Sequence, residues 1–340
     1  MTAFAVRRLL LSAGVLLAVS LGTFVFIATR FTPTCYSRYS TGAIPTLAST
    51  PRQATALWWN WLKGVPSGHS FGQVCGSNIG APLWPALGHT AALLAATALL
   101  VVVFSLVLGT VAASRAGSAL DVGVRGFAYA AWAVPAFVLA LGLQSVFNWA
   151  GQHYGFHAFG TTGWPGSCLG QGGVVLPSSL CGPAPTGFTY AADVLRHLVL
   201  PSVALAVAFI GIHSRYLRSS LLVALAAPYT TTARAKGLPE RLVVLRHALR
   251  NSLATFTSAL LLDFGAIFGA AMAVDWVFQF NGLGTLFITE IAGFGAGDSA
   301  RTLNPYAIEA LLTLAALFVV ASSFIAEVAI AAFDPRGRLR

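Results

Sequence analysis

The sequence predicts an all-α membrane protein with six transmembrane helices. Its mean hydropathy is +0.76, and 56% of its 340 residues are hydrophobic while only 9% are charged. A soluble protein of this size would instead carry helices with a polar face rich in Lys and Glu. About 20 apolar residues match the roughly 30 Å hydrocarbon core of a bilayer, and stretches of this kind recur along the chain. The predicted spans are 9–29, 90–113, 126–149, 198–219, 253–277 and 306–333.

The first apolar stretch begins directly after Arg7 and Arg8, where a secretory signal could also begin. It is longer than the roughly 7–15 apolar residues of a signal peptide, and no small-x-small cleavage site follows it. We therefore expect this stretch to be retained as the first membrane helix. Pro135 in the third stretch and Pro201 in the fourth leave backbone carbonyls without partners, which suits bent helices but is also common in membrane helices generally.

Positive charge is distributed unevenly between the two sides that six spans define. With the N-terminus inside, fourteen of the twenty Lys and Arg residues lie on the inner side. The six on the outer side are Arg30, Arg38, Arg52, Lys63, Arg196 and Arg301. Because cytoplasmic loops carry the excess of Lys and Arg, both termini are predicted to be cytoplasmic. The formal net charge of +10 is then explained by these loops rather than by nucleic-acid binding.

All cysteines fall in the two long loops, 30–89 and 150–197, that this orientation places outside. Thiols confined to the oxidising side of a membrane suggest disulfides, and four cysteines allow three pairings. Pairing within each loop is the simplest arrangement, and four unpaired thiols remain the alternative. The within-loop pairs are Cys35–Cys75 and Cys168–Cys181.

The predicted inner loop 220–252 contains the most charged stretch of the chain, TTARAKGLPERLVVLRHALRNS at 231–252. Threonines at 230–232 offer hydroxyls for a helix N-cap, and Gly237 can adopt the positive φ of a helix C-terminus. Pro239 suits the first turn of a second, amphipathic helix. We therefore predict two short helices joined by a sharp turn. Such a loop could place its arginines among lipid headgroups, or it could be a rigid docking element for a cytoplasmic partner.

These residues and several other segments are similar to one family. YTTTARAKGLPERLVVLRHALRN at 229–251 resembles the cytoplasmic coupling loop of ABC-importer permeases of the dipeptide, oligopeptide and nickel class. Further segments resemble the family in the same order along the chain. They are RRLLLSAGVLLAVSLGTFVFIATRF at 7–31, GHSFGQ at 68–73, HLVLPSVALAVAFIGIHSRYLRSSLLVAL at 197–225, VFQFNGLGTL at 277–286 and DPR at 334–336. The resemblance is strongest to the B-type permease and implies a single permease domain, 1–340, with the type I importer fold.

The resemblance implies that the loop at about 228–238 is a coupling helix seated in a groove of an ATPase subunit. The coupling residues would be Thr231, Thr232, Ala233, Arg234, Ala235, Lys236 and Gly237. Thr231 stands where the wider superfamily often has Glu, so Arg234 or Lys236 would contact acidic groups of the ATPase instead. On the outer side, the region of Gly282, Leu283 and Gly284 would reach towards a solute-binding protein.

Two intramembrane acids are candidates for the translocation path or its gate, because a carboxylate in hydrocarbon is costly and usually faces a cavity or partner. Asp263 lies near the middle of the fifth span, and Asp275 lies at its outer end. Asp263 could line the path near a cationic group of the cargo, or it could make a structural hydrogen bond to a neighbouring helix. For Asp275 we favour a gate or subunit contact over cargo binding.

The family also implies the rest of the assembly. A second homologous permease would complete the pore, two ABC ATPase subunits or a fused ATPase would bind below, and a solute-binding protein would deliver cargo above, in the cytoplasmic membrane of a bacterium. ATP and Mg²⁺ would be held by the ATPases. This chain has only Lys63 and Lys236, each followed by Gly, so it lacks the Gly-Lys-Ser/Thr phosphate loop. No cofactor or metal is expected in it, since Gly155 interrupts the pair His153 and His157.

The predicted function is therefore that of a non-enzymatic, pore-forming subunit of an ATP-driven importer of di- or oligopeptides. An importer of nickel or glycosides is an alternative within the same family. A stand-alone ion-coupled transporter would usually show inverted repeats, and none is evident. An intramembrane enzyme would need a second acid, or a nucleophile with a base, at the depth of Asp263.

Overall fold

The computed structural model describes residues 2–30, 48–64, 73–74, 77–78, 80–165, 186–292 and 305–333. The regular secondary structure of this part of the chain is helical apart from two short antiparallel strands, β1 (Gln73–Val74) and β2 (Ser77–Asn78). The α-helices are α1 (Thr2–Arg30), α2 (Pro51–Gly64), α3 (Gly80–Ser114), α4 (Ala119–Ala133), α5 (Ala136–Tyr154), α6 (Gly187–Leu225), α7 (Pro228–Ala235), α8 (Glu240–Leu242), α9 (Leu249–Leu262), α10 (Phe264–Phe278), α11 (Leu283–Ala292) and α12 (Pro305–Phe333). A π-helix at Val243–Ala248 joins α8 to α9.

Four of these helices are long and apolar enough to cross a membrane, and two bent pairs bring the number to six if each pair is one span. The four are Val6–Arg30, Leu83–Ser114, Gly187–Leu225 and Tyr306–Ile325. The pairs are α4 with α5 and the 240–262 helix with α10. All six regions coincide with predicted spans, so the predicted all-α membrane architecture is confirmed.

The third predicted span, at 126–149, is not one continuous helix, and its break lies at Pro135, which the sequence had associated with a bent helix. It is divided into α4 and α5, which meet at an angle of 93°. Val134 is extended, with φ −95° and ψ 118°, and Pro135 begins the next helix. A residue that precedes proline is disfavoured in the α conformation, which explains the position of the break.

The fifth predicted span is also divided, although it contains no proline. The helix that begins at Glu240 ends at Leu262, and α10 starts at Phe264 with a bend of 47°. Asp263 is the residue between them, with φ −80° and ψ −4°. The helix that contains the start of this predicted span begins earlier than residue 253, because it runs back through the π-helix into the predicted inner loop.

Helix α6 forms the centre of the described bundle and packs against α3, α4, α5 and α9. It spans 39 residues, against the 198–219 expected from hydropathy. At 1.5 Å per residue it is about 58 Å long, so it extends well beyond the roughly 30 Å hydrocarbon layer. Its inward face is buried over several turns, for example at Leu205, Phe209 and Leu217.

A buried polar cluster joins the first and last helices of the chain. The carboxylate of Glu309 on α12 accepts hydrogen bonds from Ser20 Oγ at 2.9 Å, Thr23 Oγ1 at 2.8 Å and Thr313 Oγ1 at 3.0 Å. Trp58 of α2 donates its indole N–H to Ser20 Oγ at 3.0 Å. Several hydroxyl donors therefore satisfy a carboxylate that would otherwise be costly in the apolar interior.

Three sets of predicted features lie outside the described residues. They are the cysteines of the two candidate disulfides, the GHSFGQ motif apart from Gln73, and the terminal DPR motif. The pairing of Cys35 with Cys75 and of Cys168 with Cys181 stays a prediction.

Candidate functional site

The predicted coupling loop forms a compact elbow, which we define as α7, the turn at 236–239 and the start of the next helix at Glu240. Helix α7 begins at Pro228, with Ala227 as its N-cap at φ −74° and ψ 151°. The expectation that the threonines at 230–232 provide the N-cap was wrong. Proline fixes the φ of the first helical turn, and the hydroxyl of Thr230 instead donates back to the carbonyl of Ala227 at 2.6 Å.

Gly237 ends α7 as predicted. It adopts φ +78°, a conformation that glycine reaches without the steric cost of a side chain. The N–H of Leu238 donates to the carbonyl of Ala233 at 3.3 Å, and the N–H of Gly237 donates to that of Arg234 at 2.9 Å. These two bonds constitute a Schellman motif, which satisfies carbonyls that the helix end would leave unpaired. The sharp turn is therefore fixed by the backbone itself.

The side chain of Arg234 closes the elbow across this turn. Its Nη2 and Nε donate to Glu240 Oε1 and Oε2 at 2.8 Å and 3.0 Å, and its Nη1 donates to the carbonyl of Leu225 at 3.2 Å. Hydrogen bonding to Glu240 holds the pKa of the Arg234 guanidinium above its usual range. Arg234 or Lys236 was expected to contact acidic groups of the ATPase. Arg234 is paired with the chain's own Glu240, and Lys236 is exposed.

The second arm of the elbow differs from the predicted separate short helix. It continues through the π-helix into α9 as one helix, Glu240–Leu262. Val244 and Ala248 of the π-helix are buried against Ala113 of α3 and against Leu221 and Ala224 of α6. π-Helical turns often occur at functional sites. Because the arm is packed on two membrane helices and continuous with a third, a displacement of the elbow would move these helices with it.

The elbow presents most of the predicted coupling residues to solvent. Ala233 is the exception: it is buried, with only 6% of its surface exposed, and therefore lies on the inner side of the elbow. The exposed residues of the set are Thr231, Thr232, Arg234, Ala235, Lys236 and Gly237.

A cavity of about 650 Å³ lies between α6 and α9 and reaches Ala227, the residue that precedes α7. Hydroxyl and amide side chains contribute much of its polar lining, together with small apolar residues. The polar lining residues are Tyr216, Ser219, Ser220, Asn251, Thr255 and Ser258. Neutral polar groups of this kind can solvate a polar cargo without binding it tightly.

Asp263 lies at the bend between α9 and α10. It directly follows Leu262, which lines this cavity. Its Oδ2 is 3.5 Å from Nε2 of His213 on α6, and 34% of its side chain is exposed. His213 is fully buried and its Nδ1 is 2.9 Å from the carbonyl of Phe209. Both ideas for Asp263 therefore have geometric support: it contacts a neighbouring helix, and it also keeps an accessible surface.

Asp275 occupies a different environment, where it organises the turn between α10 and α11. Its buried carboxylate accepts backbone N–H bonds from Gly282 at 3.0 Å, Gly284 at 2.7 Å and Thr285 at 3.1 Å. The Thr285 hydroxyl donates to Oδ1 at 2.8 Å. A negative charge at the start of α11 is also favoured by the helix dipole. In this conformation the carboxylate is hydrogen-bonded to residues of the turn that follows α10. A role at a gate stays a prediction.

The predicted outer-face residues come together with Asp275 rather than projecting from the surface. Gly282, Leu283 and Gly284 are all buried. A Cβ at position 282 would lie 2.5 Å from Asp275 Oδ2 and 2.6 Å from Thr90 Oγ1, so the site has room only for glycine. These residues shape the turn, and a contact of this region with a binding protein stays a prediction.

Several functional contacts were not anticipated from the sequence. Thr90 Oγ1 accepts the N–H of Leu283 at 2.8 Å, across 193 positions of chain. Asp121 is buried and binds Arg218 through two hydrogen bonds of 2.5 Å and 2.7 Å. For Asp121 a local signal existed, because Ser118 lies three residues before it and caps α4.

Comparison with known proteins identifies the family. The family described as binding-protein-dependent transport system inner membrane component matches residues 105–339. The chain is 27% identical to the oligopeptide transport system permease protein AppB of Bacillus subtilis, over 99% of both chains. It is 31% identical to the glutathione transport system permease protein GsiC of Pectobacterium atrosepticum, over 62% of this chain and 65% of that protein. It is 33% identical to GsiC of Escherichia coli K12, over 45% and 47% respectively.

A component of this kind is a multi-pass membrane protein that works with partner subunits and is not itself the catalytic part of the system. The chain belongs to the family of binding-protein-dependent transport system inner membrane components, the permease subunits of ABC importers with the type I fold.

Proposed function

We propose that this chain is one half of the pore of an ATP-driven importer of di- or oligopeptides in the bacterial cytoplasmic membrane. Peptide cargo is supported by the names of similar proteins, an oligopeptide permease and two glutathione permeases. Glutathione is itself a small peptide, so the three names share one cargo class. The cavity between α6 and α9 suits such cargo, because its hydroxyl and amide groups can replace water around peptide groups.

The elbow is the observation that carries the proposal. It is held by a Schellman motif at Gly237 and by the bidentate Arg234–Glu240 pair, and it exposes Ala235 and Lys236 at its tip. In our proposal an ATPase subunit binds this tip. ATP and Mg²⁺ would act in the two ATPase subunits, or in a fused ATPase, and this chain would contribute no residue to their hydrolysis.

The proposed cycle follows from how the elbow is attached. ATP binding would draw the ATPases together and carry the elbows with them. Since the second arm of the elbow is continuous with α9, α9 would tilt about the bend at Asp263 and the cavity beside α6 would close towards the cytoplasm. The outer side would then open to a solute-binding protein. ATPase contacts can drive this change only as far as they differ between the two states.

Reconstitution of the transporter tests the proposal. This chain, a second homologous permease, the ATPases and the binding protein would be assembled in proteoliposomes, and uptake of a labelled dipeptide would be followed. We expect uptake only when ATP and every subunit are present. Uptake driven by an ion gradient without the ATPases would contradict the proposal, and uptake of nickel or a glycoside in place of peptide would correct its cargo.

A further inference from the structure

A second cavity, of about 610 Å³, lies between α4 and α6. It shares Tyr216 and Ser219 with the cavity between α6 and α9, but none of its arginines lines that other cavity. We call it the basic-aromatic pocket. Its described lining contains three arginines and three aromatic residues and no carboxylate. The lining residues are Arg125, Tyr129, Trp132, Ile212, Arg215, Tyr216, Arg218 and Ser219.

The charge of this pocket is not cancelled by its surroundings. Asp121 lies behind the lining, buried, and its two short hydrogen bonds are made to Arg218. Arg125 approaches Asp121 only at 3.6 Å and remains 45% exposed. The guanidinium of Arg215 lies over the ring of Tyr129, 4.4 Å from its centroid, which fixes its position without neutralising it. Three arginines against the single carboxylate of Asp121 leave the pocket with a net charge of +2.

The position of the pocket along α4 and α6 matches the edge of the hydrocarbon layer. In α6 the residues from Leu198 to Ile212 are uncharged, and Arg215 follows them. In α4 the uncharged segment begins after Arg125. Trp132, which lies further along α4 from Arg125 and also lines the pocket, packs edge to face against Phe209. At a membrane interface, arginines lie among the lipid headgroups, and Tyr and Trp lie next to them on the side of the acyl chains. Arg125, Tyr129 and Trp132 of the pocket follow one another in this order along α4. The charge distribution predicts that this edge is the cytoplasmic one.

We propose that the basic-aromatic pocket binds the phosphate-bearing headgroup of an anionic phospholipid in the cytoplasmic leaflet. Arg125 and Arg215 would hold the phosphate, and the exposed faces of Tyr129 and Trp132 would contact the glycerol and the first acyl carbons. A protein partner at this depth would have to supply carboxylates within the plane of the membrane, whereas an anionic leaflet already supplies the negative charge. The lipid would bridge α4 and α6 beside the Asp121–Arg218 pair.

Lipid binding to the intact purified transporter tests this proposal. Native mass spectrometry would be used to titrate phosphatidylglycerol and, in parallel, phosphatidylcholine. We expect retention of phosphatidylglycerol only. An Arg125→Gln/Arg215→Gln variant should bind it roughly thirtyfold more weakly, as expected for two cations near a charged surface. The matched control is Arg7→Gln/Arg115→Gln, which removes two exposed arginines from the same predicted side and should leave the affinity unchanged.

Two further measurements separate the possible occupants. A photoreactive benzoylphenylalanine introduced at Trp132 should label phospholipid, and labelling of the second permease would overturn the proposal by showing a subunit interface. Displacement of phosphatidylglycerol by millimolar inorganic phosphate would overturn it in favour of a site for free phosphate. Equal loss of affinity in the test and control variants would show that general surface charge, not this pocket, attracts the lipid.

Discussion

The guanidinium of Arg234 and the carboxylate of Glu240 form a bidentate pair across the turn at Gly237, with N–O distances of 2.8 Å and 3.0 Å. The same guanidinium also bonds to the carbonyl of Leu225, where α6 ends. One side chain therefore connects both arms of the elbow to the central helix of the bundle.

Charge reversal tests the importance of this pair. Arg234→Glu or Glu240→Arg should lower ATP-dependent uptake about twofold to fivefold, since an exposed pair contributes modestly. The double variant should recover most of the loss, because it restores opposite charges at the same positions. Arg241→Glu changes an exposed charge next to the pair and should have little effect. Failure of the double variant to recover uptake would show that Arg234 acts through an external partner instead.

Gly237 should be needed for coupling, because a side chain at φ +78° costs roughly 1–2 kcal/mol. Gly237→Val should reduce uptake per ATP hydrolysed, while Gly237→Asn should be milder, since Asn tolerates this conformation. Gly117 is a matched control, as it has φ +81° and an equally open surrounding in the turn between α3 and α4. Gly117→Val should cost similar stability but leave coupling intact. Equal coupling defects in both variants would contradict a specific role for the elbow.

Asp275 should be a major contributor to stability. Asp275→Asn replaces an acceptor of three backbone N–H bonds with a group that can accept fewer, so we expect a loss of about 3 kcal/mol in the free energy of unfolding. A thermal unfolding assay in detergent would measure it as a clear fall in Tm. Asp263→Asn, at a partly exposed carboxylate, should change the Tm much less. Similar Tm values for the two variants would contradict the structural assignment of Asp275.

The sequence predicted the features that depend on composition and on local backbone chemistry. Recurrent apolar stretches located the membrane segments, and Gly237 was recognisable because few other residues adopt positive φ. Pro135 marked the position of a break, but the angle of 93° depends on how α4 and α5 pack. The start of α7 was misjudged because Pro228 competes with the threonines for the first turn.

Contacts between residues far apart in the sequence could not be predicted from the sequence pattern. The cluster at Glu309 joins residues more than 280 positions apart, at Ser20 and Thr23. The bend at Asp263 follows no proline and coincides with the approach of His213 from α6. Asp275 and Gly282 were singled out for two separate roles, and their hydrogen-bonded contact in one turn was not anticipated. Thr90 of α3 also bonds to this turn, at Leu283.

Asp263 can be tested as a part of the translocation path. Asp263→Asn should reduce uptake of peptides with an extra cationic side chain more than uptake of neutral peptides, because a partly exposed carboxylate attracts positive cargo. The reduction should be about fivefold to tenfold in apparent affinity, as for one partly buried ion pair. Competition between the two peptide classes in proteoliposomes would measure it. Unchanged uptake of both classes would leave Asp263 with its contact to His213 alone.

Site-directed cross-linking from the tip of the elbow tests the central claim most directly. A cysteine would be placed at Ala235 in a cysteine-free chain, with Ala116→Cys as a control on the same predicted side but in the turn between α3 and α4. In intact cells, we expect a short bifunctional cross-linker to join Ala235→Cys to an ABC ATPase subunit, with a yield that changes when ATP is trapped, and to give no such product from Ala116→Cys. Capture of the ATPase by neither cysteine, or labelling of Ala235→Cys from the outside of the cell, would contradict the account.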